Sequence, residues 1–228
     1  MAAKKATRKQ LLKEPDEFIT FTARLFQFAV QYKFQILTGI GIGCAVLILV
    51  SGFVYFSNKS EEKAFTLMQQ GIKKYKTLSE SSGPTKAYQE VSPDFEFILK
   101  KYPGKEGGKL ARVSYADICY RAGEYDKAIS LYRQALKDIG AHQPVKYLVL
   151  SGLGYSYAAK QEYQEAATYF QKIASGPESI MKDESLFNLG RIYHTLGNPE
   201  KSKESYEKIV SDHPDSIYIE LAKAKVAG

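Results

Sequence analysis

The chain has 228 residues, 44% of them hydrophobic, and a formal net charge of +7. That charge is unevenly placed: residues 1–35 carry seven basic and three acidic side chains, residues 36–56 carry none, and residues 57–228 carry 25 basic and 22 acidic. The basic excess is an N-terminal feature, the interspersed signs beyond it argue against a nucleic-acid-binding surface, and two cysteines in separate segments, Cys44 and Cys119, argue against a disulfide framework.

Residues 1–14 show no apolar periodicity beyond Leu11-Leu12 and read as a flexible basic tail. Pro15 followed by Asp16 and Glu17 predicts a helix start, since proline fits a first turn and carboxylates favour the positive end of the helix dipole. Over 15–35 such a helix aligns Phe18, Phe21, Leu25, Phe28 and Tyr32 on one stripe. That is the pattern of an amphipathic juxtamembrane helix, or of a short connector whose aromatics anchor at headgroup level.

The run Ile36 to Phe56 has no charged side chain over 21 residues. As a helix it would be roughly 31 Å long, enough to cross a hydrocarbon core of about 30 Å. It reads as an uncleaved transmembrane helix: it is too long and starts too late for a signal peptide, and no small-x-small cleavage site follows. Gly43-Cys44 makes a poor lipoprotein box, because Gly41 stands where a large aliphatic is wanted and the apolar run continues from Ala45 to Phe56. Gly39 and Gly43 form a GxxxG against which a transmembrane helix partner could pack. Lys4, Lys5, Arg8, Lys9, Lys13, Arg24 and Lys33 precede the run, whereas residues 57–75 hold only Lys59, Lys63, Lys73 and Lys74. The N-terminus is therefore expected to be cytoplasmic and everything after Phe56 extracytoplasmic.

Beyond the run, Asn58 is placed to cap a new helix with Glu61 reaching back, and Ala64, Phe65, Met68, Ile72 and Tyr75 follow at helical spacing. No strand-like alternation of useful length appears, so the fold class reads as all-α. Self-comparison then exposes a repeat. Leu153-Gly154, Tyr157, Ala166, Phe170 and Ile173 match Leu189-Gly190, Tyr193, Ser202, Tyr206 and Ile209 at a constant offset of 36. An earlier copy, displaced by 38, reads Tyr115-Ala116, Cys119, Ala128, Tyr132 and Ala135. The pattern resembles the tetratricopeptide repeat (TPR), which implies an α-solenoid of paired antiparallel helices. Gly154 and Gly190 would let the paired helices approach, opposite the small residues Ala166 and Ser202. Tyr157, Tyr193, Phe170 and Tyr206 are expected to fill the gap between neighbouring repeats. Gly123-Glu124-Tyr125 and Gly197-Asn198-Pro199 are the expected turns.

The resulting layout is a tail over 1–14, a juxtamembrane helix over 15–35, a span over 36–56 and a TPR domain over 57–228. The domain comprises a degenerate repeat at 60–103, repeats at 109–140, 147–177 and 183–214, and a capping helix at 215–228. In the degenerate copy Phe95, Ile98 and Pro103 keep the spacing of Tyr206, Ile209 and Pro214, but the Leu-Gly-x-x-Tyr signature is missing. After Pro214, the residues Tyr218, Leu221, Ala222 and Val226 form one apolar face suited to closing the open end of the stack.

Catalytic chemistry is not legible. His142, His194 and His213 are far apart in sequence, no His/Cys/carboxylate cluster has metal-ligand spacing, and there is no GxGxxG, Walker loop or GxSxG. The expectation is a protein that is not an enzyme and takes no cofactor. Cys119, among apolar and aromatic neighbours, reads as a small buried hydrophobe.

A basic tail, one N-terminal span and a four-repeat extracytoplasmic TPR domain together resemble the YfgM-like family, ancillary subunits of the bacterial SecYEG translocon. The resemblance implies a single-pass inner-membrane protein with a periplasmic TPR domain, and as partners translocon subunits, periplasmic chaperones or nascent secreted polypeptides. The concave face of such a stack is lined by the first helix of each repeat. Positions flanking the packing residues give a candidate peptide-binding set of Asp117, Tyr120, Arg121, Tyr155, Arg191 and His194. The alternative is a scaffold that assembles another cell-envelope complex through the same repeats. A cytosolic organelle-import receptor would need the opposite topology.

Overall fold

The computed structural model describes residues 17–138 and 143–227. The tail of residues 1–14, the helix start at Pro15-Asp16, and His142 lie outside the described residues. The chain divides into two compact units, Met1–Asn58 and Lys59–Gly228, and no strand occurs among the described residues.

In the first unit, α1 (Glu17–Gln31) is followed by Tyr32 and then by the start of α2 (Lys33–Ser82). The Tyr32 amide donates to the Phe28 carbonyl at 2.9 Å, and the two rings lie 4.7 Å apart. The apolar run within α2 is uncovered: Leu49 is 72% exposed and Phe53 75%. A Cβ added at Gly39, Gly41, Gly43 or Gly52 would meet nothing within 4 Å. Each large apolar side chain left in water forgoes about 1.5–3 kcal/mol of burial. This helix is long and apolar enough to cross a membrane.

The new helix start expected at Asn58 does not occur, because α2 runs unbroken to Ser82. No proline or glycine lies between Phe53 and Gln70, and extending an existing helix is easier than nucleating another. Glu61 caps a different helix instead. Its Oε1 accepts from the Gly107 amide at 2.6 Å, in the first turn of α4 (Glu106–Arg121), where helical amides lack internal partners.

The second unit is a succession of antiparallel helix pairs. The later part of α2 packs on α3 (Pro84–Lys101), α4 on α5 (Tyr125–Asp138), α6 (Gln143–Ala159) on α7 (Tyr163–Ala174), and α8 (Lys182–Thr195) on α9 (Pro199–Asp212). Between pairs, α3 meets α4, α5 meets α6 and α7 meets α8, and α10 (Ile219–Ala227) lies on α9. One continuous core runs through the stack, with Ala64, Phe95, Ala128, Leu153, Phe170 and Ile209 fully or almost fully buried. Arg112, only 8% exposed, pairs with Asp138 and so ties α4 to the end of α5.

The glycines set the spacing within pairs. A Cβ on Gly154 would lie 2.7 Å from the Phe170 ring, one on Gly190 2.5 Å from the Tyr206 ring, and one on Gly71 3.0 Å from the Phe95 ring. Phe170 and Tyr206 therefore seat on the glycine of their own repeat, not in the gap between repeats. Tyr157 stacks on Tyr169 of its own pair at 5.5 Å and also meets the preceding pair, where the Arg133 guanidinium of α5 lies 5.6 Å from its ring, as expected of a residue between repeats. Tyr132 also bridges, covering Gly152 of the following pair. Ser202, at the position held by Ala166 in the preceding pair, donates its hydroxyl to the Gly190 carbonyl at 2.7 Å and latches α9 to α8. In the inter-helix turns Gly123 (φ 87°) and Gly197 (φ 69°) take left-handed backbone, and Gln161 (φ 64°) does so at the equivalent place between α6 and α7.

Candidate partner-binding face

On α4, Arg121 Nε donates to Asp117 Oδ2 at 2.7 Å one turn back, with both side chains largely in solvent. Such an exposed pair contributes only about 0.3–0.5 kcal/mol. It leaves a cation and an anion displayed beside the half-buried Tyr120.

Tyr120 lies 5.8 Å from the Tyr125 ring and 6.4 Å from the Tyr155 ring of the next pair. Four of the six candidates, Asp117, Tyr120, Arg121 and Tyr155, thereby form one patch across α4 and α6.

Tyr155 is held more firmly than its sequence suggests. Its ring meets Phe170 edge-on at 5.2 Å, its hydroxyl donates to Glu184 Oε1 at 2.6 Å, and it accepts from Asn188 Nδ2 at 2.9 Å. Asn188 Nδ2 also donates to the Glu184 carbonyl at 2.9 Å. Burial, and after it the hydrogen bond to Glu184, pushes the Tyr155 phenol well above its ordinary range. It is a permanent donor and a strut between α6 and α8, not a free side chain. Glu184 and Asn188 escaped the sequence reading because they occupy the places of Leu148 and Gly152 one repeat earlier, so the repeat pattern gives no polar signal there.

Arg191 and His194 sit elsewhere, in a cavity of about 940 Å³ shared with Phe187, Tyr206, Lys203 and Lys225. The structure thus distributes the six candidates over a central aromatic patch and an end cavity.

A second cluster was not anticipated. Lys127 Nζ donates to Glu96 Oε1 at 2.8 Å and lies 5.0 Å from the Tyr115 ring centroid and 5.6 Å from that of Tyr88. These contacts join α5 to α3 and α4. Cys119 is fully buried, which pushes its thiol up to about 12 and removes it from thiolate chemistry at neutral pH. Among the described residues, no group of three or more His, Cys, Asp or Glu side chains could hold a metal ion.

Tetratricopeptide-repeat family profiles match residues 93–144, 149–175 and 183–211. Among solved structures, the nearly identical TPR-like repeats of a kinesin light chain protein from Podosopora anserina superpose at 14% identity with a TM-score of 0.57, covering 70% of this chain and 83% of that one. A single-residue variant of the same protein gives a TM-score of 0.58 at the same identity and coverage. A tetratricopeptide repeat protein from Parabacteroides merdae superposes at 19% identity with a TM-score of 0.53, over 71% of this chain and 59% of that one. At such identities the likeness establishes the fold alone. No curated protein sequence matches the chain. With paired helices, glycine-seated aromatics and three matched segments, residues 93–211 carry tetratricopeptide repeats in an all-α fold, a protein–protein interaction module.

Proposed function

We propose that this chain is a membrane-anchored protein–protein interaction module of the bacterial inner membrane. In this reading its N-terminus is cytoplasmic and its TPR unit periplasmic, where it serves as an accessory subunit of the Sec translocon. There it holds emerging polypeptides, or the chaperones that receive them, on the face built by the first helices. The observation that carries the reading is the combination in one chain of an uncharged, exposed apolar run at Ile36 to Phe56 with a repeat array whose α4–α6 surface displays Tyr120, Tyr155 and the Asp117–Arg121 pair. Aromatic and arginine side chains on a firm helical scaffold are what peptide recognition uses most. The basic excess before the run sets the orientation. GxxxG packing at Gly39 and Gly43 supplies a contact surface for a translocon helix.

Protease added to spheroplasts should digest the region after Ser57 and spare an epitope placed before Phe18. Protection of the TPR unit would reverse the topology and remove the translocon reading. Association with an envelope complex containing neither translocon subunits nor secreted chains would favour the scaffold.

A further inference from the structure

We propose that one end of the first helix pair is a basic collar that docks on anionic phospholipid headgroups, a second and lipid-dependent attachment beside the apolar helix. The inference rests on the reading that Ile36 to Phe56 spans a membrane, but on no translocon or peptide contact. α2 carries that run and, three and seven residues beyond Phe56, the exposed Lys59 and Lys63. At helical rise these lie roughly 5–10 Å past the run, matching a headgroup layer of about 5–8 Å and a Debye length of about 8 Å.

The fold brings further lysines to the same turns of α2. Glu61 Oε1 holds the Gly107 amide at 2.6 Å, and a Cβ on Gly107 would stand 2.6 Å from the Phe65 amide nitrogen, so the start of α4 lies directly on α2 there. The connection from α3 is tied down as well. The Tyr102 amide donates to the Ile98 carbonyl at 2.8 Å, the Lys105 amide donates to the Tyr102 carbonyl at 3.2 Å, and the Tyr102 side chain is buried. Lys100 and Lys101, exposed in the last turn of α3, and Lys105 therefore stand at the end of the pair that Lys59 and Lys63 occupy. A count of charges flanking the apolar run misses them, because they arrive from another helix.

The net charge of the unit is concentrated here. Residues 57–228 carry 25 basic and 22 acidic side chains, a net of +3. Residues 59–63 and 100–109 together hold six lysines and three glutamates, also +3, so the other 19 basic and 19 acidic side chains cancel. Two of the three glutamates are engaged, Glu61 by the Gly107 amide and Glu106 by Lys109 at 2.6 Å. Among the described residues Lys63, Lys100 and Lys101 join no ion pair, whereas Lys74 holds Asp94 and Lys127 holds Glu96, both at 2.8 Å. The dipole of α3 favours cations in its last turn, which accounts for Lys100 and Lys101 but not for Lys59 and Lys63 beside them. Lysines held on a fixed turn next to a bilayer match phosphate headgroups, each strengthening adsorption to an anionic surface by roughly fivefold.

The chain contains no tryptophan, so a single introduced one is the sole indole emitter. Gly104→Trp places it on the exposed α3–α4 connection, where nothing lies within 4 Å of an added Cβ. The full chain is reconstituted in nanodiscs of phosphatidylcholine alone or of phosphatidylcholine and phosphatidylglycerol in equal parts, each doped with phosphatidylcholine bearing a nitroxide on its headgroup. Quenching of Gly104→Trp should be about twofold stronger in the anionic discs, and Lys63→Gln with Lys100→Gln and Lys101→Gln should return it to the neutral-disc value at unchanged helicity. Sodium chloride at about 1 M, which shortens the Debye length to about 3 Å, should do the same. Ile217→Trp, 85% exposed near the other end of the array, should respond equally in both discs. Phe53→Trp, inside the apolar run, should be quenched by acyl-chain-brominated lipid in either disc. Equal quenching of Gly104→Trp in the two discs would overturn the proposal, as would a phosphatidylglycerol effect that survives the triple variant or is shared by Ile217→Trp. So would a shift of Gly104→Trp emission by polyglutamate without a phosphatidylglycerol effect, which would assign the collar to an acidic protein segment. Absence of quenching at Phe53→Trp would remove the membrane reading and the collar with it, whereas quenching there with no lipid preference at Gly104→Trp would remove the collar alone.

Discussion

Adding a single methyl group at Gly190 tests the helix pairing directly. The new Cβ would stand 2.5, 2.7 and 2.8 Å from three ring carbons of Tyr206, closer than packed atoms tolerate. Moving the ring has a cost: Tyr206 is 3% exposed and edge-on to Phe187, and the neighbouring Gly190 carbonyl is fixed by the Ser202 hydroxyl at 2.7 Å. Overpacking of this kind costs about 1–3 kcal/mol, against which alanine recovers up to about 1 kcal/mol of helix propensity over glycine. Gly190→Ala should therefore be destabilising by about 1–2 kcal/mol, a fall in Tm of roughly 2–8 °C for a unit of this size. Gly154→Ala, whose Cβ would meet Phe170 at 2.7 Å, should fall close behind, and Gly71→Ala, with 3.0 Å to Phe95, should lose least. Gly104→Ala is the control, because nothing lies within 4 Å of its added methyl. The assay is thermal melting of the full chain in detergent, followed at 222 nm. Replacing Tyr206 with leucine should relieve the clash, so that Gly190→Ala costs less in that background. Equal melting temperatures for Gly190→Ala and Gly104→Ala would refute the assignment of Tyr206 to its own repeat's glycine.

Gln161 holds a left-handed backbone with an exposed side chain. Gln161→Gly should relieve about 1–2 kcal/mol of strain at an entropic cost of about 0.5–1, for a net gain near 0.5–1 kcal/mol read as a small rise in Tm. The hydrogen bond from Lys127 holds the Glu96 carboxyl below its ordinary range. Its ion pair therefore stabilises the fold above the unfolded pKa and is lost as pH falls through the lower folded value. Melting temperature should decline on acidification below about pH 5, and Glu96→Gln should lower it near neutrality while flattening that decline.

The repeats with intact signatures were legible because Leu153-Gly154 and Leu189-Gly190 sit in register with Tyr157 and Tyr193. The glycines' partners were not, since periodicity places a ring on a helix face without saying which neighbouring helix it meets. The first copy hid for a physical reason. Gly71 and Phe95 keep the glycine–ring contact, but α2 extends to Ser82, so they lie 24 residues apart against 16 for Gly190 and Tyr206. Gln70 and Lys74 stand where Leu153 and Tyr157 carry the signature. Asn58 misled because a capping side chain is a local preference that a helix already under way overrides. At the candidate face, Tyr120 and Tyr155 are not equivalent repeat positions, since Asp117 is the counterpart of Tyr155 at the 38-residue offset. Their contact depends on how one pair stacks on the next. The end cavity depends on where α10 brings Lys225 and Val226, which no repeat pattern encodes.

The central claim is that the α4–α6 face receives a partner polypeptide, and site-specific photocrosslinking in intact cells tests it most directly. A photoreactive residue at Tyr120, beside the Asp117–Arg121 pair but outside the Tyr155–Glu184 strut, should capture translocon subunits, chaperones or secreted chains. The same residue at Lys172, exposed on the second helix α7, should capture none of them. Capture from Lys172 with none from Tyr120 would contradict the account and move recognition to the outer face of the array.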